Sequence, residues 1–371
     1  MWTPPPELTR ALTEGRISRR EFVSRALALG ISLEAIGLAL VSCRPSDSRQ
    51  GVNDPRRSRE LDVFTWADGI PREVLRAFRD ESGIDVQTLS FDSNEAMIAR
   101  LQLDPAGADL AILGHHHIPA LLALDLIAPL DHTVLTGLEH LDPRATKLYS
   151  DPTNTYSVPF TWGTIGIAYR SDRVQRPVDS WAAFFDRSLA GRTIMLAPDA
   201  CLMAMLRYRG HSLNSTNQTE LGRAKNDCVA AKEVLRAFAL VGVREQLIAG
   251  DVWVAQIHDG GAEAARREAP AVQYVIPREG SLFWVDSAVV SRGARHPDAA
   301  HRFLSYLLRP AVAAQVAAAG PWNTPNLTAR GMLAQPVPYP TDEEWGRLEL
   351  ERARGEDSIE WDRLIVELRA A

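Results

Sequence analysis

Three consecutive histidines, His115-His116-His117, are the most concentrated group of side chains able to bind a metal or move a proton. On an extended segment His115 and His117 face one way and His116 the other. Two imidazoles on one side can begin a metal site, but no cysteine or carboxylate at ligand spacing completes it. A metal-dependent hydrolase is the enzymatic reading of that cluster, and bound metal would be its mark. Asp259-Gly260-Gly261 can offer backbone N–H groups to an anion or simply start a helix. The chain contains no G-x-S-x-G elbow, P-loop, G-x-G-x-x-G or H-E-x-x-H. No catalytic constellation is complete here, so no enzyme is expected, and neither is a cofactor or a metal.

The remaining candidate chemistry is aromatic and acidic, and it falls at the ends of predicted strands. Apolar runs and turn residues predict strands over 61–66, 84–89 and 109–113. Helices are predicted between them, with Pro71 at a first helical position, Gly83 just past a helix end and Asp92-Ser93-Asn94-Glu95 as a cap. A second set begins at 164–169, with further strands near 193–196, 252–256, 272–275 and 283–289. The last third is helical: 297–308, 310–319 and 359–370. This alternation predicts an α/β fold with largely parallel sheets covered by helices on both faces.

In open α/β sheets, ligands sit beyond the carboxyl ends of the strands. Trp66-Ala67-Asp68-Gly69 follows the first strand, and Gly114-His115-His116-His117 follows the third. Pro198-Asp199-Ala200 and Ile257-His258-Asp259 follow two later ones. Trp284 and Asp286 stand at the start of a crossing segment, and Trp322 lies in a late loop. Each has an ordinary structural reading: the tryptophans as core plugs, Asp199 as a helix N-cap. Their joint placement at the loop ends predicts a cleft between two lobes.

With 371 residues, 46% hydrophobic and 24% charged, the chain is long enough for two such lobes and has the profile of a soluble globular protein. The net charge is −6, and the residues after Cys43 carry −7. A mildly acidic body does not suggest a nucleic-acid partner. Cys43, Cys201 and Cys228 are the three cysteines. An odd count without repeated spacing makes no disulfide framework. Cys201 and Cys228 read as two buried thiols, with pairing after export left open.

Residues 1–43 read as an address. Ser18-Arg19-Arg20-Glu21-Phe22-Val23 resembles the twin-arginine export consensus, and a modestly apolar run, 26–41, follows it. Leu40-Val41-Ser42-Cys43 resembles a bacterial lipobox, which implies lipidation of Cys43. Residues 44–59 are polar and turn-rich, a flexible tether.

Val63-Phe64-Thr65-Trp66-Ala67-Asp68, Phe91-Asp92-Ser93-Asn94-Glu95, Tyr156-Ser157-Val158-Pro159-Phe160-Thr161-Trp162-Gly163-Thr164, Val275–Gly280 with Phe283–Ser287, and Asn323-Thr324-Pro325-Asn326 occur in this order. Across nearly all of 60–371 the chain resembles the spermidine/putrescine-binding proteins of bacterial ABC importers. The resemblance implies a periplasmic-binding-protein type II fold: two α/β lobes around a ligand cleft, joined by hinge-crossing segments. It implies lobe one at 60–163 plus 285–330 and lobe two at 164–284 plus 331–371. It further implies a monomer that captures a small cation, a polyamine, and delivers it to a membrane permease and its ATPase. The lipid at Cys43 would be its sole membrane attachment.

Carried over by position, Trp66, Trp284 and Trp322 stand where aromatics box the ligand. Asp68, Asp199 and Asp286 stand where carboxylates hold its ammonium groups. His116 and His258 fall on positions where the family has aromatics, Gly69 replaces another aromatic, and Leu202 replaces a second acid near Asp199. These departures imply a shorter polyamine, or a ligand with one ammonium group and something else at its other end. A different solute, such as an amino-phosphonate, an organic acid or a metal chelate, is the alternative within the same scaffold. A sensor lipoprotein without transport is another.

Overall fold

The computed structural model describes residues 60–370, apart from Asp68, Pro321 and the side chain of Glu356. The export and lipidation residues Arg19, Arg20 and Cys43, and the tether, lie outside the described residues.

The chain opens as β1 (Glu60–Thr65), α1 (Arg72–Ser82), β2 (Asp85–Ser90), α2 (Asn94–Leu103), β3 (Leu110–Gly114) and α3 (Ile118–Ala123). Local chemistry explains the boundaries. Gly83 adopts φ 73° and donates its N–H to Arg79 O, the left-handed stop that glycine takes without strain. Ser93 accepts from Ala96 N and starts α2. Pro71 is the cap residue of α1, in an extended conformation, and not its first helical residue.

A 14-residue strand, β4 (Ser157–Arg170), leads into the second set: β5 (Thr193–Met195), α5 (Pro198–Tyr208), α6 (Gln218–Lys232), β6 (Leu235–Phe238), α7 (Val243–Ala249), β7 (Val254–His258), α8 (Asp259–Glu268) and β8 (Val272–Val275). A short α4 (Pro143–Thr146) precedes β4. Then β9 (Ser281–Val290) returns to the first set, followed by α9 (Pro297–Leu307), α10 (Pro310–Ala319), α11 (Leu327–Met332), α12 (Asp342–Trp345), β10 (Leu348–Leu350) and α13 (Ser358–Ala370).

Among the described residues these strands form one continuous path, β2-β1-β3-β9-β4-β7-β5-β6, with β10 beside β9 and β8 beside β4. The outer trios are parallel, as the alternation predicts. The centre is antiparallel, because β4 and β9 are the strands on which the chain passes between the halves in opposite directions. The expectation of a largely parallel sheet therefore fails at the middle. Ser157–Thr164 of β4 pairs with β9, while Ile165–Arg170 pairs with β7 and β8. The register slips between Pro159 and Thr161, where proline has no N–H to give the ladder.

Each half has its own core on both sheet faces. In the first half, Leu61, Val63, Leu110 and Ile112 pack under α1, α9 and α10. The alternate residues Phe64, Ala111, Leu113 and Val289 pack under α2 and α3. In the second half, Ile165, Ile167, Met195 and Val254 meet α5, α6 and α13, and Ala168, Ile194, Ala255 and Ile257 meet α7 and α8. The period-two alternation along strands buried on both sides produces this pairing of cores. Two separate cores joined by extended strands make two lobes.

Candidate functional site

The junction of the halves gathers aromatic and acidic groups. Trp66 follows directly on β1, and its indole Nε1–H donates to Asp286 Oδ2 at 3.0 Å. Asp286 lies in β9 opposite Gly114 of β3 and Thr161 of β4. Asp286 is half-buried, and desolvation pushes its pKa up to about 7, against the lowering effect of the Trp66 hydrogen bond. Phe91 backs the Trp66 ring at a centroid separation of 4.5 Å.

Trp284 precedes Asp286 by two residues and so shares its strand face. Its ring meets His258 edge-on at 5.7 Å and Trp322 edge-on at 6.3 Å. Gly163 faces Trp284 in register. A Cβ at Gly163 would stand 2.7 Å from Trp284 Cζ2 and 2.6 Å from Asp259 Oδ1, so the strand must carry glycine for the indole and carboxylate to approach. Among the described residues, Trp284 Nε1 and His258 Nδ1 have no hydrogen-bond partner. Burial pulls the His258 pKa down to about 4, so its ring is neutral at pH 7.

Asp259 is a node of the hinge. Its Oδ2 accepts from Thr164 N at 3.0 Å, Thr164 Oγ1 at 3.3 Å and Asn323 Nδ2 at 2.9 Å. Its Oδ1 accepts from Gly260 N at 2.8 Å. One carboxylate thus ties the crossing point of β4, the start of α8 and the late Asn323 loop. Burial raises its pKa to about 6, with those hydrogen bonds opposing the shift. The Asp259-Gly260-Gly261 turn therefore spends its acid on the protein's own backbone.

The histidine triplet is a single 3-10 turn, not an extended segment. Its rings therefore do not alternate between two faces. His115 is buried, hydrogen-bonded to Ser150 and 3.4 Å from Ser287 Oγ. The His116 and His117 rings lie 4.0 Å apart. His117 Nε2 stands 3.8 Å from Glu95, and His116 Nδ1 stands 3.9 Å from Glu351, just past β10. Glu351 is itself held by Arg354 at 2.6 Å. Burial, with Arg354 adding to it, lowers the His116 pKa to about 4. Nearby, Tyr149 OH accepts from Ala353 N at 2.8 Å. Among the described residues no three His, Cys, Asp or Glu side chains converge to hold a metal.

The structure gives two groups, Trp66 with Asp286 and Trp284 with His258 and Trp322, related by the shared face of β9. His116 sits one turn beyond Gly114 and contacts the C-terminal segment. Asp199 is half-buried in the first turn of α5, where a negative charge suits the helix dipole. Its cap residue is Ala197, which corrects the reading of Asp199 as N-cap. Asp68 lies outside the described residues. Leu202 is fully buried in the core beneath α5. Phe91, Thr164, Asn323 and Glu351 were not singled out as site residues. Phe91 adjoins a recognisable motif, but Glu351 sits in a charge-rich tail indistinguishable from solvated surface. A largely apolar pocket lined by Leu141, Val158, Leu304, Leu308 and Val316 lies inside the first half, with Thr161, the register partner of Asp286, on its wall.

Two α/β lobes with separate cores, joined by crossing strands that carry aromatic and acidic side chains, define a solute-binding protein of the type II architecture. Comparisons with known proteins agree. Residues 73–344 match the family model of the bacterial extracellular solute-binding proteins. The spermidine/putrescine-binding periplasmic protein of Escherichia coli (strain K12) is 32% identical over 281 residues, covering 75% of this chain and 80% of that protein. A putrescine/agmatine-binding protein of Pseudomonas aeruginosa is 31% identical over 277 residues, covering 68% and 74%. The structure of the spermidine/putrescine ABC transporter substrate-binding protein PotD of Streptococcus pneumoniae superposes with a TM-score of 0.76 at 27% identity, over 84% of this chain and 99% of that one. This chain belongs to the bacterial extracellular solute-binding proteins.

Proposed function

We propose that this protein is the capture subunit of an ABC importer and closes its two lobes on a polyamine. Lobe one is 60–163 plus 285–330, and lobe two is 164–284 plus 331–371. The observation that carries this reading is the Trp66–Asp286 pair beside the Trp284–His258–Trp322 wall. A carboxylate held by an indole N–H is placed for a charge-assisted hydrogen bond from an ammonium group. Aromatic faces suit the methylenes and attract the cation by about 0.5–2 kcal/mol. Asp199 and Asp68 are proposed as further carboxylates of the site, and His116 as its rim. The names of the relatives, which bind spermidine, putrescine or agmatine, support the same ligand class.

The leader completes the proposal. Arg19-Arg20 directs export, Cys43 takes the lipid, and 44–59 tethers a monomeric body near its permease and ATPase. The protein releases its ligand unchanged and has no turnover of its own. Among the described residues, no helix is long and apolar enough to cross a membrane.

A second reading keeps the scaffold and changes the solute. It rests on His258, whose free Nδ1 and neutral ring suit a hydrogen-bonding end better than a second ammonium. A thermal-shift screen decides between the two. A ligand at 100 times its dissociation constant stabilises the native state by about 2.7 kcal/mol. Stabilisation by putrescine, spermidine or agmatine supports the polyamine. Stabilisation by amino acids or organic anions alone would replace it with the second reading.

A further inference from the structure

Cys201 and Cys228, 27 positions apart in sequence, meet in the core of the second half. Cys201 lies in the first turns of α5 and Cys228 near the end of α6, and both are fully buried. Their sulfurs stand 2.9 Å apart. The sulfurs of a disulfide lie ~2.05 Å apart, so less than an ångström of travel separates the pair from a bond. Their surroundings are apolar, with Leu202, Leu221 and Ala224 in the same core. Burial pushes the Cys228 thiol well above its usual range. Such thiols are inert as nucleophiles and poor as metal ligands. What their proximity suits is each other.

We propose that Cys201 and Cys228 form a structural disulfide in the mature protein, stapling α5 to α6 and fixing the helix that presents Asp199. This rests on the export reading, because such bonds persist in oxidising compartments outside the cytosol. The chemistry is thiol–disulfide exchange with a disulfide donor of the oxidoreductase or glutathione class. One cysteine, as thiolate, attacks the donor disulfide and forms a mixed disulfide, expelling one donor thiol. The second cysteine, as thiolate, attacks that mixed bond and expels the other donor thiol. The chain loses two protons and two electrons, and the donor ends as two thiols. Because both sulfurs are buried in the fold, the exchange takes place after export, when α5 and α6 transiently part and open the sulfurs to the donor. The bond then ties the first turns of α5 to α6 inside the second core.

Peptide mapping without reduction, on the full chain taken from its native extracytoplasmic fraction, tests the bond directly. The expected result is one linked species joining the Cys201 and Cys228 peptides, two hydrogens lighter than their sum. Reduction should then lower the melting midpoint by roughly 3–6 °C. Cys228→Ala should melt at one temperature with or without reductant, which separates the bond from the cost of altered packing. Complete alkylation of both cysteines in denatured, unreduced extracytoplasmic protein would overturn the proposal. Should fractionation place the chain inside the cell, the export reading falls. The pairing is then judged on protein refolded with glutathione disulfide, where two free thiols would refute it and the linked peptide would sustain it.

Discussion

Binding of a cationic ligand at Asp286 should be coupled to proton release. Without ligand, burial holds this carboxyl at a pKa of about 7, so near neutrality it is roughly half protonated. An ammonium group seated against it favours the ionised form and pulls the pKa back toward the ordinary carboxylate range near ~4. The protonated protein must therefore lose its proton to bind, and affinity falls as pH drops below about 7. Between pH 8 and pH 5 the ionised fraction of the free protein falls from about 0.9 to about 0.01. Affinity should thus drop roughly 90-fold, about 2.7 kcal/mol, while a diamine stays fully charged throughout. His116 and His258 contribute little to this slope, because burial keeps both near a pKa of about 4 and neutral across the window. An ordinary histidine would titrate inside this window, and the structure gives that role to the carboxylate instead. Among the described residues Asp259, near 6, is a second acid titrating in range, and Asp259→Asn controls for it. Calorimetric titration with putrescine at several pH values, in two buffers of different ionisation enthalpy, reads both affinity and proton release. At pH 7 about half a proton should leave per ligand bound. A flat affinity profile from pH 5 to 8 for a diamine held in the cleft would refute the assignment of Asp286 as its anion.

Asp286→Asn should weaken diamine binding by about 2–5 kcal/mol, the range for truncating one partner of a buried charge pair. Asp92→Asn, at an exposed position before α2, should leave binding unchanged, and equal small losses in calorimetry would mean the cleft is misplaced. Gly163→Ala should lower stability by roughly 1–3 kcal/mol by chemical denaturation, since its methyl has Asp259 and Trp284 within 2.7 Å and overpacking carries that cost; a wild-type midpoint would show that β4 moves aside freely. Cys43→Ala should move the protein from the membrane to the soluble fraction, and Arg19→Lys with Arg20→Lys should retain it inside the cell. Unchanged fractionation of either variant would remove the corresponding part of the leader.

The alternation of strands and helices was legible in the sequence because period-two and turn signals are local. Gly83, Ser93 and the strand 272–275 fall where their residues dictate. Residues at strand ends were legible for the same reason: Trp66 follows β1 and His258 ends β7, whereas Trp284 and Asp286 lie inside β9, where that rule does not reach. The pairing of the strands was not legible. The chain's alternating order suggested parallel neighbours, and it carries no local mark that β4 and β9 run antiparallel at the centre. The histidine triplet shows the same limit: its sequence read as an extended segment with alternating rings, yet a 3-10 turn sends His115 inward to Ser150 and Ser287. Partners far apart in sequence were decided only by the tertiary structure. Trp66 and Asp286 are separated by 220 positions, Thr164 and Asp259 by 95, and Cys201 and Cys228 by 27. The pKa values of the acids follow from the same cause. Residue type sets a carboxyl's reference value, but the depth to which the fold encloses Asp286 and Asp259, and the donors it brings to them, set where each one titrates.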